Sequence, residues 1–335
     1  MLSASSIMQK GPRKIDISRN MAYTVSRDDP RSSADPGTLI RRGHRPWNGS
    51  YLTCLCSACQ YHNESCNVWT HMLPFLYFLR YALQRQGKAG IGRSLPRAVA
   101  GAAAALFCGS AAAHLFCAHS PRARDVLFRL DRALIAVYGA SVSLACGWLH
   151  FTPRREFRMR AVYSAAIIAA CIRTTTATVM SDRSAEQRGP ATPTGTNASS
   201  SPSSKATLET GAGRLRQEVL LYVLQYGLGF VAVVRQILLE KDTKMVCDLA
   251  KQALGAAISA LAGACFHVMK FPEAKFPETF DLIGSSHNIF HVLTANAVFH
   301  SHKAVRDWAR YLRKQQPAQT PKMPGDKSFR ELYFE

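Results

Sequence analysis

Long stretches without charged side chains constrain the fold of this chain more than any other feature of its sequence. Five of them occupy residues 98–121, 133–153, 219–234, 252–269 and 282–302. A membrane-spanning helix needs roughly 17 to 25 largely apolar residues, and soluble helices rarely reach that length without Lys, Arg, Asp or Glu. The sequence therefore predicts several membrane-spanning helices.

Two further stretches are less apolar. Residues 68–83 carry Arg80 near their end, where a long side chain can reach the membrane interface, and residues 161–180 carry Arg173 before a Thr-rich end. Counting both predicts an all-α membrane protein, a seven-transmembrane helix bundle. Its approximate spans are residues 68–83, 98–118, 133–152, 161–180, 218–239, 252–269 and 282–302.

The mean hydropathy of the whole chain, −0.08, favours the rival interpretation of a soluble all-helical protein. Three polar segments dilute that average. Residues 1–50 are predicted to form a disordered basic N-terminal tail, and residues 303–335 a charged C-terminal tail. Residues 182–216 are predicted to be a low-complexity loop inside a transmembrane domain of residues 51–302.

The net charge of +20 raises the question of nucleic acid as a partner. The basic residues are scattered through tails and short loops, without the interleaved aromatic side chains that stack on bases. Lys and Arg beside membrane helices instead contact anionic lipid. We therefore expect membrane lipids, and no nucleic acid, as partners.

Polar residues inside membrane helices are costly, so each one is a functional hypothesis. Ser110 and His114 lie at the end of the second predicted span, Asp131 at the start of the third, and His287 and His291 at the start of the seventh. Residues four apart share a helix face, so one pair of histidines can bind one ion. With seven crossings, all five residues lie near the same membrane face. The sequence predicts an internal zinc site with ligands His114, His287 and His291.

The alternative is that these three histidines are separate packing residues, each hydrogen bonded within the bundle. His71, His119, His267, His300 and His302 have no comparable polar neighbours in the sequence pattern, so we assign them packing or interface roles.

A second candidate metal site is the cluster of Cys54, Cys56, Cys59 and Cys66 around His62. The spacing suggests a zinc knuckle, but no paired Cys-x-x-Cys repeat supports one. Local disulfides and free thiols are the other interpretations of this cluster.

The same polar positions carry a resemblance to the progestin and adipoQ receptor family, over about residues 44–302. The shared positions are Asn63-Glu64, Asn67-Val68-Trp69-Thr70-His71, Ser110 with His114, Asp131, Pro272-Glu273, Phe280-Asp281, Ser286-His287 and His291. The first span is most similar to the membrane progestin receptor branch. Arg132 departs from the family pattern, in which an aromatic residue usually follows the Asp.

The resemblance implies a multi-pass plasma-membrane receptor with an internal zinc ion, a steroid or other lipid ligand, and signalling proteins at the cytoplasmic face. It also implies a cytoplasmic N-terminus, whereas the excess of Lys and Arg after residue 302 favours a cytoplasmic C-terminus. The two indications of membrane orientation disagree.

A second function class stays open beside the receptor. The alkaline ceramidases resemble the same pattern, in which three histidines leave one zinc position for a water that attacks a lipid amide. In such a hydrolase Asp131 would act as the general base or orient the water. Ser110 would donate a hydrogen bond to the water or to the oxyanion.

Overall fold

The computed structural model describes residues 23–35, 37–84, 91–151, 156–181 and 204–315. Within these ranges the chain forms eight α-helices, one 3-10 turn at Ser57–Cys59 and no named strand. The helices are α1 (Tyr51–Cys56), α2 (Ser65–Leu83), α3 (Ile91–Phe116), α4 (Pro121–His150), α5 (Phe157–Ser181), α6 (Ser204–Leu239), α7 (Thr243–Met269) and α8 (Ser286–Lys314). The predicted all-α class is confirmed.

Five segments of these helices are long and apolar enough to cross a membrane. They are Ser94–Phe116, Pro121–His150, Phe157–Met180, Leu220–Leu239 and Thr243–Met269. The chain is thus an integral, multi-pass membrane protein. The helices α2 and α8 are less apolar, in part because they bury polar side chains such as Asn67 and His71 in α2 and His291 in α8.

Side-chain caps fix the starts of several helices. Ser120, Asp242 and Ser285 each accept a hydrogen bond from the backbone N–H three residues later, at the starts of α4, α7 and α8. Ser285 forms a reciprocal capping box with Asn288. Such a cap stabilises a helix by about 1 kcal/mol, and here it sets where α8 begins, directly before the predicted ligands.

The Ala- and Gly-rich helix α3 lies at the centre of the bundle, in contact with α2, α4 and α8. Ala100, Ala103 and Phe107 are fully buried, and a Cβ on Gly109 would lie 2.3 Å from Leu134 Cδ1 of α4. Small residues allow helix backbones to approach closely in membranes. This packing places the C-terminal end of α3, with His114, inside the bundle.

Three predicted boundaries differ from the structure. Within the described residues, the segment before α1 contacts the helices at several points: Arg45 is only 3% exposed, and the Asn48 N–H donates to the carbonyl of Ala118 at 3.1 Å. The helix α6 begins at Ser204, within the predicted loop 182–216. The helix α8 continues past residue 302 to Lys314 and buries Trp308 against His150, so this part is not a tail. Residues 1–22, 182–203 and 316–335 lie outside the described residues.

Candidate metal centre

The structure brings the three predicted ligand histidines together. His114 lies in the last turn of α3, and His287 and His291 lie in the first two turns of α8. His287 Nε2 is 3.2 Å from His114 Nε2 and 3.1 Å from His291 Nε2. All three ligand atoms lie within 4.8 Å of one another. Zn–N bonds of about 2.0–2.1 Å in a tetrahedron place two nitrogens about 3.3 Å apart, so the spacing fits zinc.

Hydrogen bonds at the opposite ring nitrogens set the tautomers of two of these histidines. His114 Nδ1 lies 2.7 Å from Glu64 Oε2, and His291 Nδ1 lies 3.2 Å from the carbonyl oxygen of Asn67. A carboxylate and a carbonyl only accept hydrogen bonds, so each Nδ1 carries the proton. Both Nε2 atoms then turn an unprotonated lone pair toward the Nε2 atom of His287, and a cation bound among the three nitrogens would offset the repulsion of these lone pairs.

The third ligand histidine has a partner that the sequence analysis assigned to packing. His267, on the last turn of α7, places its Nδ1 3.3 Å from Nδ1 of His287. Its ring also packs on Phe290, with 5.1 Å between the ring centroids. His287 is therefore held at Nδ1 from α7 while its Nε2 faces the other two histidines. The packing role that the sequence predicts for His267 is thus accompanied by a direct contact with a candidate ligand, which the sequence analysis did not predict.

His71 also lies at the site rather than away from it. Its ring stacks on that of His291, with 3.8 Å between centroids and 6° between planes. Phe107 packs edge-on against the His71 ring, with 5.0 Å between the ring centroids. Stacking from α2 thus fixes the plane of the His291 ring.

Glu64 connects the start of α2 to both halves of the site. Beside its contact with His114, it accepts a hydrogen bond of 2.7 Å from Asn67 Nδ2, and Asn288 Nδ2 donates to Asn67 Oδ1 at 2.6 Å. Burial alone would raise the pKa of the Glu64 carboxyl, but the hydrogen bonds from His114 and Asn67 hold that pKa well below its usual range. Glu64 is therefore an ionised acceptor at neutral pH.

The two remaining predicted residues lie beside His114. The Ser110 side chain hydrogen bonds with the carboxylate of Asp131, and that carboxylate interacts electrostatically with His114. Ser110 is 1% exposed, one helical turn before His114 on the same face of α3. The pair therefore offers a polar edge next to the histidines, suited to orienting a water or a polar group of a ligand.

Sequence reasoning missed Glu64 and His267 as parts of this site. The signal for Glu64 was its position at the entrance of an apolar helix, three residues before Asn67 and seven before His71, all on one helix face. The signal for His267 was its depth, because the end of the sixth predicted span lies at the same membrane face as the start of the seventh.

Replacing His267 with alanine should lower the zinc affinity of the protein about tenfold, because His287 loses the partner that orients its ring. The matched control is His300→Ala. His300 lies on α8 more than two turns beyond His291 and hydrogen bonds with Gln252 of α7. Competition with a calibrated chelator measures both affinities. Equal affinity in the two variants would show that His267 does not support the site.

Residues 59–301 of the chain match the family described as Haemolysin-III related. The chain belongs to this family. All three candidate zinc ligands lie inside the matched region, and the resemblance drawn from the sequence motifs is confirmed at the family level. Residues 23–58 lie before the region that matches the Haemolysin-III related family.

Relatives of this Haemolysin-III related chain carry receptor names. It is 36% identical to the membrane progestin receptor delta of Mus musculus over 122 residues, 33% of this chain and 35% of that protein. It is 24% identical to the adiponectin receptor protein of Drosophila melanogaster over 285 residues, 82% of this chain and 56% of that protein. To human membrane progestin receptor alpha it is 28% identical over 262 residues, 76% and 68% of the two chains.

The cysteine cluster near the start of α2 does not form a metal group in the structure. Cys54, Cys56, Cys59 and Cys66 are free thiols. Of the side chains in the described ranges, His114, His287 and His291 form the group of three or more that could hold a metal ion.

Proposed function

We propose that this chain is a seven-transmembrane receptor of the plasma membrane that binds a steroid or related lipid in a bundle held together by zinc. The observation that carries the proposal is the convergence of three Nε2 atoms whose rings are each held at Nδ1 by another element. Such outer hydrogen bonds are typical of metal-binding histidines, because they fix the tautomer and the ring orientation.

The proposed seven crossings include α2 and α8 in addition to the five apolar spans. The helix α2 has 19 residues and α8 has 29. At 1.5 Å per residue these helices are about 28 and 43 Å long, against a hydrocarbon core of about 30 Å. Their polar side chains are tolerated because they lie inside the bundle, where they hydrogen bond with one another.

The proposed zinc would be held by one histidine of α3 and two of α8. When bound, zinc would cross-link these two helices and act as a Lewis acid. The ligands also reach α2 through Glu64 and α7 through His267. A lipid that binds one arrangement of these four helices better than another would shift the balance between them. Signalling proteins at the cytoplasmic face would respond to that shift.

The polar end of the ligand is proposed to lie at Ser110 and Asp131. This pair lies beside the histidines, at the end of α3 and near the start of α4, next to the long apolar stretches of both helices. A steroid or related lipid has an apolar body with few polar groups, which matches one polar edge inside an apolar bundle. The receptor names of the relatives support this ligand class.

We expect purified protein in lipid nanodiscs to bind radiolabelled progesterone saturably, and Ser110→Ala to weaken that binding about 3- to 10-fold, the effect of one lost hydrogen bond. The control is Ser141→Ala on α4, because Ser141 donates only to a carbonyl of its own helix. Absence of saturable binding, together with turnover of ceramide by the same protein, would overturn the receptor and favour the hydrolase.

A further inference from the structure

An arginine that precedes the family region lies buried at the end of the helix that carries His114. Arg45 is only 3% exposed. Its Nη2 donates to the carbonyl oxygen of His114 at 2.6 Å, and its Nη1 donates to that of Leu115 at 2.7 Å. These carbonyls belong to the last turn of α3, where helical N–H partners run out. The fork of Arg45 therefore caps α3 at the residue that carries a metal ligand.

The charge of Arg45 is balanced by the helix rather than by an acid. None of the ion pairs between described residues involves Arg45. The C-terminal end of a helix carries partial negative charge, and basic side chains there hydrogen bond to the last carbonyls. Arg45 suits this role better than Lys, because its planar fork reaches two acceptors at once.

A second branch from Arg45 leads to Glu64, the partner of the His114 ring. Nη1 of Arg45 also donates to Ser57 Oγ at 2.7 Å. The carbonyl of Ser57 lies 3.2 Å from His62 Nε2, and His62 Nδ1 accepts from the backbone N–H of Glu64 at 3.1 Å. Burial, with the charge of Arg45, lowers the pKa of His62 to about 3, so this link is a neutral imidazole. Arg45 thus contacts the backbone of His114 directly and, through Ser57 and His62, the backbone N–H of Glu64, the residue whose carboxylate accepts from the His114 ring.

The residues just before Arg45 attach to the loop that leads into α8. The backbone N–H groups of Arg41 and Arg42 donate to Asp281 Oδ2 at 3.2 and 2.9 Å. Gly43 has φ +79°, and a Cβ there would lie 2.5 Å from Leu282 Cδ2. This close approach requires glycine. The segment 41–45 therefore joins the end of α3 to the chain directly before His287 and His291.

We propose that Arg45 is a positioning residue of the metal centre: it fixes the carbonyl of His114 and, through Ser57 and His62, the backbone of Glu64, whose carboxylate orients the His114 ring. The proposal rests on the proposed zinc site. It places a part of the chain that precedes the matched family region inside the support of that site. Loss of this support should lower zinc affinity by about the 10- to 100-fold typical of residues that orient metal ligands.

The test compares zinc affinity and cobalt spectra in full-length wild type, Arg45→Lys, Arg45→Met and Arg235→Met. Arg235 is the matched control, because it also donates to the last carbonyl of a helix, that of His150 at 3.2 Å. His150 ends α4, whereas the part of α4 next to the histidines is its start. Chelator competition gives the zinc affinity, and the visible bands of Co²⁺-loaded protein report the ligand geometry. Thermal unfolding of the metal-free proteins reports the purely structural effect.

The expected result is a loss of zinc affinity of at least tenfold in Arg45→Met, a smaller loss in Arg45→Lys with shifted cobalt bands, and wild-type affinity in Arg235→Met. If Arg45→Met does not fold, Arg45→Lys decides alone, and unchanged affinity and bands in it overturn the proposal. Equal losses of zinc affinity in Arg45→Met and Arg235→Met also overturn the proposal, because they would show that the affinity falls through a general loss of stability. Wild type without zinc would overturn the metal centre itself, whereas zinc-binding wild type with unaffected Arg45 variants overturns only the role of Arg45.

Discussion

If zinc is bound as proposed, alanine in place of any one of His114, His287 and His291 is expected to remove most of it. Each substitution deletes one of three Nε2 atoms that lie within 4.8 Å of one another. Two remaining side chains rarely hold zinc alone. Because the ligands join α3 and α8, zinc-free protein should also unfold at lower temperature. A ligand present at 100 times its Kd stabilises the folded state by about 2.7 kcal/mol.

Inductively coupled plasma spectrometry of purified wild type and variants measures this effect. Asp131→Asn is the graded control, because it keeps the shape of the side chain beside His114 and removes only its charge. We expect it to retain more zinc than the three alanine variants. Near-stoichiometric zinc in His287→Ala and His291→Ala would show that the metal lies elsewhere.

The second large effect is expected for Glu64→Gln. A glutamine amide can occupy the same space, but it lacks the negative charge that accepts the Nδ1 proton of His114 at 2.7 Å. The zinc affinity should fall about 10- to 100-fold, as it does when a carboxylate behind a ligating histidine is removed. The loss should be larger than that of His267→Ala, because a charge-assisted hydrogen bond is stronger than a neutral one.

Glu240→Gln provides the control for this charge change. Glu240 bonds to Tyr311 and Gln236 near the end of α6, away from the histidines. Zinc affinity measured by chelator competition should stay at the wild-type value in this variant. An unaltered affinity in Glu64→Gln would mean that the ring of His114 is oriented without the carboxylate.

Residue spacing along single helices was enough to select the three histidines that the structure brings together. His287 and His291 are four apart, Ser110 and His114 are four apart, and both pairs lie in long stretches without Lys, Arg, Asp or Glu, where polar side chains inside a membrane are costly. The depth argument then related the two helices without any knowledge of their packing. The convergence of the three rings agrees with that reasoning. Residues four apart share a helix face whatever the helix packs against, so their spacing can be read from the sequence alone.

The contacts behind the ligands depend on pairs of elements that are far apart in the sequence. The bond between Glu64 and His114 joins residues 50 apart, and that between Arg45 and His114 joins residues 69 apart. Arg45 resembled any other basic residue of a polar segment, because its burial comes only from docking against α3. The composition of residues 1–50 therefore predicted a tail, whereas residues such as Arg45 in its described part are held by tertiary contacts.

Helix boundaries were underestimated for a related reason. Hydropathy ends a span where charges begin, but a helix continues as long as its backbone bonds and packing persist. Residues 303–314 continue α8 because Trp308 and Ala309 are buried against the bundle, while Lys303 and Arg310 remain near Asp307 at the surface. An amphipathic end of this kind is polar on average and still packed on one face.

The zinc K-edge X-ray absorption spectrum of purified wild-type protein tests the metal centre most directly. The arrangement of His114, His287 and His291 predicts nitrogen or oxygen ligands at about 2.0–2.1 Å, with the outer-shell scattering of about three imidazole rings. Sulfur ligands at about 2.3 Å would contradict it and would place the zinc at cysteines instead.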